Sequence, residues 1–108
     1  MKFKVLKSVK ATDDLNKLSV MQQSELYEDY NIIQTKGIEF VKRRFLQDGI
    51  FEIKTGNIRS LFKFAENQII IIGLIYIKKT QQTPKYVLRL AKKRFEEEED
   101  EIYICQRF

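Results

Sequence analysis

Between Ile50 and Phe64 apolar and polar residues alternate, the period of strands with one buried face. Phe51 and Ile53 fall on one side of the first run, and Glu52 and Lys54 on the other. Thr55-Gly56-Asn57 interrupts the pattern as a turn, and alternation resumes from Ile58. There Ile58, Ser60, Phe62 and Phe64 share a face, while Arg59, Leu61 and Lys63 share the opposite one. Glu66-Asn67 marks a second turn, and Gln68 to Ile77 is almost wholly apolar, as in a strand covered on both sides. Turns this short between successive strands force an antiparallel meander.

The remaining segments read differently. Met1 to Ser8 alternates as a short strand, with Phe3 and Val5 opposite Lys2 and Lys4. Thr12-Asp13-Asp14 offers N-cap residues ahead of a segment whose apolar positions, Leu15, Leu18, Met21, Leu26, Tyr30 and Ile33, recur at helical spacing. One or two helices fit there, with a break near Ser19 and an end at Gly37, a residue suited to a C-terminal cap. Ile38 to Leu46 fits either a short helix or an extended connection, with Lys42-Arg43-Arg44 exposed in both. Pro84 opens a last helix whose buried side is Val87, Leu88, Ala91 and Phe95. The predicted fold is α+β: an antiparallel meander sheet, N-terminal helices and a closing C-terminal helix packed on one face. Residues 1–108 are expected to form one domain, and 44% hydrophobic composition supplies one core.

Composition removes several chemistries. The chain has no His and one Cys, which excludes a His/Cys zinc site, an internal disulfide and any Ser-His-Asp or Cys-His pair. No metal or other cofactor is expected. The longest apolar run is half of the ~20 residues needed to cross a bilayer, and no leader-like segment opens the chain. The expectation is a cytoplasmic protein with no membrane contact.

Charge adds the first positive clue. There are 20 Lys and Arg against 15 Asp and Glu, but six of the acids form one block, Glu96 to Glu101. Without that block 20 bases face 9 acids, a surplus of eleven that favours a polyanionic partner. Lys92 and Lys93 precede the block by one turn, so it can continue the helix as a solvated end or shield the basic body. On the sheet, Arg59 and Lys63 must share a face, and Lys54 falls nearly opposite Arg59 across the Gly56 turn. Lys78-Lys79 leaves the apolar strand just beyond them, and Glu52 is the only acid nearby. Like charges so placed repel. The cluster either awaits an anion such as a phosphate or is a solvated sheet face.

Several residues carry a resemblance. Leu46-Gln47-Asp48-Gly49-Ile50-Phe51-Glu52-Ile53-Lys54, Ile58-Arg59, the run Ile75 to Pro84 (Ile-Tyr-Ile-Lys-Lys-Thr-Gln-Gln-Thr-Pro) and Leu90-Ala91-Lys92-Lys93-Arg94 resemble the phage-derived HigB-like branch of the RelE/ParE toxin superfamily. The likeness covers residues 46 to 95, with Lys78 to Pro84 its most specific part. It implies the toxin of a type II toxin–antitoxin pair, and a ribosome-dependent endoribonuclease that cleaves mRNA through a metal-free basic face. Lys54, Arg59, Lys78 and Lys79 match the catalytic bases by position. Lys54 stands where the family has Arg, which keeps the charge and loses the bidentate fork. Lys63, Lys85, Tyr86, Lys42, Arg43 and Arg44 extend the expected RNA-binding set, although Tyr86 also suits packing. Some relatives use His, so the general base is left open and electrostatic stabilisation carries the implied mechanism. The implied partners are a cognate antitoxin, a small helix-turn-helix protein, and mRNA on the ribosome. Operator DNA would be reached only through the antitoxin complex. The alternatives are a ParE-like gyrase inhibitor that cuts nothing, and an inactive relative that binds RNA or antitoxin.

Overall fold

The computed structural model describes residues 1–99 and 105–107. In chain order it has strand β1 (Lys4–Ser8), helices α1 (Val9–Asn16) and α2 (Val20–Thr35), a 3-10 turn (Ile38–Phe40), then β2 (Lys42–Gln47). Strands β3 (Ile50–Thr55), β4 (Ile58–Ala65) and β5 (Ile69–Ile77) follow, then helix α3 (Lys85–Glu99) and a short β6 (Cys105–Arg107). The sheet order is β2-β3-β4-β5-β1-β6. β2 to β5 form the expected antiparallel meander, while β1 lies parallel to β5 and β6 antiparallel to β1.

Local chemistry explains these boundaries. Asp48 and Gly49, at φ 52° and 74°, close the β2–β3 hairpin in the left-handed conformation that Asp-Gly favours. That turn makes Lys42–Gln47 an edge strand, resolving the segment that the sequence left open between helix and extended chain. Ser19 caps α2 through a reciprocal box: its hydroxyl accepts from Gln22 N at 3.1 Å, and the Gln22 side chain accepts from Ser19 N at 3.0 Å. The expected cap of the preceding helix is corrected. Ser8 caps α1, accepting from Ala11 N at 3.1 Å, and Thr12, Asp13 and Asp14 lie inside the helix. The helix starts directly from the strand, so no loop is needed.

Packing corrects one further expectation. The helices do not share a face. Leu15, Leu26, Tyr30 and Ile33 pack with Val5, Ile53, Ile58, Phe62, Ile70 and Ile72. Val87, Ala91 and Phe95 of α3 instead pack with Ile50, Leu61 and Leu74. Leu61 and Phe62 are successive residues of one strand and must point to opposite faces, so α1 and α2 cover one side of the sheet and α3 the other. β5 was read as doubly covered, and the residue pattern required a helix on each side. The helical expectation for the acidic block holds through Glu99, and Asp100 and Glu101 lie outside the described residues.

The two layers meet at Asp14. β1 pairs with β5 only as far as Ile72, and beyond it α1 occupies the place of the missing strand. The Asp14 carboxylate accepts the Ile75 N–H at 3.1 Å, standing in for a ladder carbonyl. The same oxygen accepts from Arg94 Nη1 of α3 at 2.7 Å, and Arg94 also donates to the Gly73 carbonyl at 3.0 Å. Gly73 sits at the bulge opposite Leu61/Phe62, and a Cβ there would meet the Phe95 ring at 2.7 Å. A side chain at this position would push α3 off the sheet.

Two stability experiments follow from these contacts. Asp14→Ala leaves an unpaired strand N–H and an unpaired guanidinium, so it should cost about 2–4 kcal/mol in urea unfolding. Asp14→Asn, which retains an acceptor, should cost less; equal losses would show that the carboxylate is not the tie. Lys7, 4% exposed and 5.4 Å from the Tyr27 ring, has its pKa lowered by burial to about 8. The burial penalty on its charge is therefore full below pH 8 and fades toward pH 10.5, because there the unfolded chain binds the extra proton. The Tm gain of Lys7→Met over the wild type should be larger at pH 7 than at pH 10. A pH-independent difference would mean that the buried charge is not what the substitution relieves.

Candidate nucleic-acid interface

Strand register assembles the site. On the α3 side of the sheet Lys42 pairs with Lys54, Lys54 with Arg59, and Arg59 with Tyr76. These four residues form one row across β2, β3, β4 and β5, roughly 14 Å from end to end at the usual strand spacing. The next row inward is Arg44, Glu52, Leu61 and Leu74. Leu61 and Leu74 lie under α3, which also packs on Tyr76, whereas Lys42, Lys54 and Arg59 lie beyond its cover. Lys78, two residues past Tyr76 and so on the same side, is brought in as its N–H donates to the Asn57 carbonyl at 2.7 Å.

Arg59 is held by two backbone carbonyls and only a distant carboxylate. Its Nη1 donates to the Gly56 carbonyl at 2.7 Å and to the Ile58 carbonyl at 3.1 Å. Its buried Nε has no hydrogen-bond partner and lies 3.9 Å from Glu52 Oε1. Glu52 is fully buried and belongs mainly to Arg44, whose Nε donates to Oε1 at 2.6 Å. Thr83 closes the group, accepting from Arg44 Nη2 at 3.1 Å and donating to Glu52 Oε2 at 3.4 Å. Burial lowers the Lys78 pKa; Glu52 opposes this, and Arg44, Arg59 and Lys54 add to it. Burial raises the Tyr76 pKa against the pull of the nearby Thr83 hydroxyl, yet its buried oxygen completes no hydrogen bond of normal geometry.

The expected residues thus divide. Lys54, Arg59, Lys78, Lys42 and Arg44 converge. Lys79 does not join them, because successive residues of the extended segment after β5 diverge. Lys79, Lys85 and Tyr86 instead line a cleft of about 1210 Å³ between α1, the free edge of β5 and α3, with Lys17, Leu18, Pro84, Leu90 and Arg94. Lys63 lies four residues along β4 from Arg59, its ammonium 5.5 Å from the Phe95 ring. Arg43 faces the other side and donates to the Ile38 carbonyl at 3.3 Å. Sequence reasoning passed over Tyr76, Thr83 and the central place of Glu52. Asp48-Gly49 was a partial signal: its hairpin pairs Gln47 with Ile50, and a bulge between Phe45 and Gln47 then shifts the register by one and sets Arg44 opposite Glu52. Among the described residues no three His, Cys, Asp or Glu side chains gather as a metal site. None of their helices is long and apolar enough to cross a membrane.

The fold is similar to that of RelE-type toxins: a chain of the toxin–antitoxin complex RelBE2 from Mycobacterium tuberculosis superposes with a TM-score of 0.60 at 17% identity, over 72% of this chain and 100% of that one. The family described as phage-derived protein Gp49-like matches residues 13–96. The chain belongs to that family, a RelE-like family of type II toxins. No curated protein matches it.

Proposed function

We propose that this toxin-family protein is a ribosome-dependent endoribonuclease that cleaves mRNA on its basic sheet face without a bound metal. The observation that carries the reading is Arg59, fixed by two carbonyls with its Nε unpartnered, in a row with Lys42 and Lys54 and beside Lys78. A backbone threading this row would meet cations at about the spacing of strands, with one phosphate against the guanidinium. The 2′-hydroxyl of the preceding nucleotide attacks that phosphorus, its proton passing to water. The bond to O5′ breaks, the products being a 2′,3′-cyclic phosphate and a 5′-hydroxyl end. Arg59 stabilises the charge that develops on the non-bridging oxygens, and Lys78 supplies the proton that O5′ needs. Lys42, Lys54 and Arg44 hold the flanking backbone, and Tyr76 forms the end wall of the row. Lys79, Lys85 and Tyr86 contact RNA leaving toward the cleft, outside the reacting centre. A cognate antitoxin, proposed as a small helix-turn-helix protein, neutralises the basic body at rest, and operator DNA is reached only through that complex.

Single-turnover cleavage on programmed ribosomes tests the assignment. Arg59→Ala should lose ~10²–10³ in rate, the usual loss for a donor to developing oxyanion charge. Ribosome pelleting should be retained, and Lys36→Ala on the far side should cut normally. Native-rate cleavage by saturating Arg59→Ala would make the face a docking surface only. Loss of gyrase supercoiling without cleavage by the wild type would install the ParE-like alternative.

A further inference from the structure

Glu52 is the one acidic side chain in the basic cluster, and it is inaccessible to solvent. A buried carboxylate is costly unless its partners repay the desolvation. Its partners here come from three separate pieces of chain: Arg44 on β2, Arg59 on β4 and Thr83 in the segment that carries Lys78. Arg44 closes the ring by donating to Thr83 as well. The carboxylate itself is closed to solvent behind Arg44, Arg59 and Thr83, so it is not placed to be an acid or base in cleavage.

We propose that Glu52 is the positioning residue of this face: its carboxylate sets the place of Arg44, lies 3.9 Å from Arg59, ties the Lys78–Thr83 segment to the sheet, and is, among the described residues, the one acidic side chain of the cluster around that segment. This rests on the cleavage reading for its functional meaning, but its structural content stands separately. The charged groups acting on Lys78 are Glu52 on β3, Arg44 on β2, Arg59 on β4 and Lys54 on β3. Three of them are cations that disfavour a protonated Lys78, and burial disfavours it further. Among the described residues Glu52 counteracts them, favouring the protonated amine from which the leaving oxygen would take its proton. A purely structural Glu52 would matter for stability and leave the titration of Lys78 in place.

The test follows Lys78 by NMR in protein carrying 13C-labelled lysine, with Lys78→Arg used to assign its signal. In Glu52→Gln, which keeps the side-chain shape, the Lys78 midpoint should fall by roughly half a pH unit or more. Arg44→Gln removes a cation from a 41% exposed side chain and should move the midpoint upward, giving a second reading if Glu52→Gln does not fold. On programmed ribosomes Glu52→Gln should lower kcat by roughly tenfold with little change in KM, a partial loss below the ~10²–10⁴-fold that general acid catalysis contributes in full. The alkaline limb of its rate profile should move down with the Lys78 midpoint. Unchanged Lys78 midpoints in the folded variants would overturn the proposal. If the midpoints move as stated and the wild type cuts no RNA, the cleavage reading falls and the positioning role of Glu52 stands.

Discussion

The Asp14 carboxylate is the constraint on which the arrangement depends. A parallel strand such as β1 satisfies only part of the edge of β5, and the chain then turns directly into α1. The unpaired N–H of Ile75 would be an expensive orphan in a buried strand. Asp14 satisfies it, and the guanidinium of Arg94 compensates the charge thus drawn into the fold. One side chain therefore joins a helix on one face, the strand between, and a helix on the other. The position of α3 follows from it, and with it the line where cover of the sheet stops.

That line decides which strand rows stay open. α3 covers Leu61 and Leu74, which are apolar, and packs on Tyr76 at the end of the next row, leaving Lys42, Lys54 and Arg59 beyond its cover. Between the two rows stands Glu52, where the apolar half of the face gives way to the basic half. A carboxylate at such a boundary is out of water but next to cations, the condition under which it organises guanidinium groups instead of being solvated. Gly73 serves the same geometry by letting the Phe95 ring approach the strand.

Much of this was legible in the sequence because it rests on period and turn chemistry. The alternation around Gly56 fixed which residues share a face, and the Lys54–Arg59 pair stands where that alternation put it. The break at Ser19 was visible as a capping residue within an otherwise continuous helical pattern. What escaped depends on contacts distant in sequence. The side of the sheet on which α3 packs depends on its apolar stripe meeting Ile50, Leu61 and Leu74 and on Arg94 meeting Asp14, 80 residues apart, and no periodicity in α3 alone records it. β2 looked ambiguous because an exposed edge strand of Lys, Arg and Phe has no alternation of burial to show. Without β2 opposite it, Glu52 was an isolated acid. Lys78 and Lys79 look equivalent as neighbours, yet an extended backbone sends them to the basic row and to the cleft.

Two arginines show how one residue type is put to opposite uses. Arg94 and Arg59 have side chains equally withdrawn from water, each 14% exposed. Arg94 faces a carboxylate at 2.7 Å, so its charge is spent inside the fold and adds little to the field outside. Arg59 is gripped by the neutral carbonyls of Gly56 and Ile58, and its nearest carboxylate, at 3.9 Å, is already engaged by Arg44. Carbonyl dipoles fix its orientation but cannot cancel its charge. The repulsion among Arg59, Lys54 and Lys42 is then only partly relieved in the free protein, by Glu52 at 3.9 Å from Arg59. An anion lying along the row would relieve it without any side chain having to be reoriented, which is the condition for electrostatic stabilisation of a charged transition state.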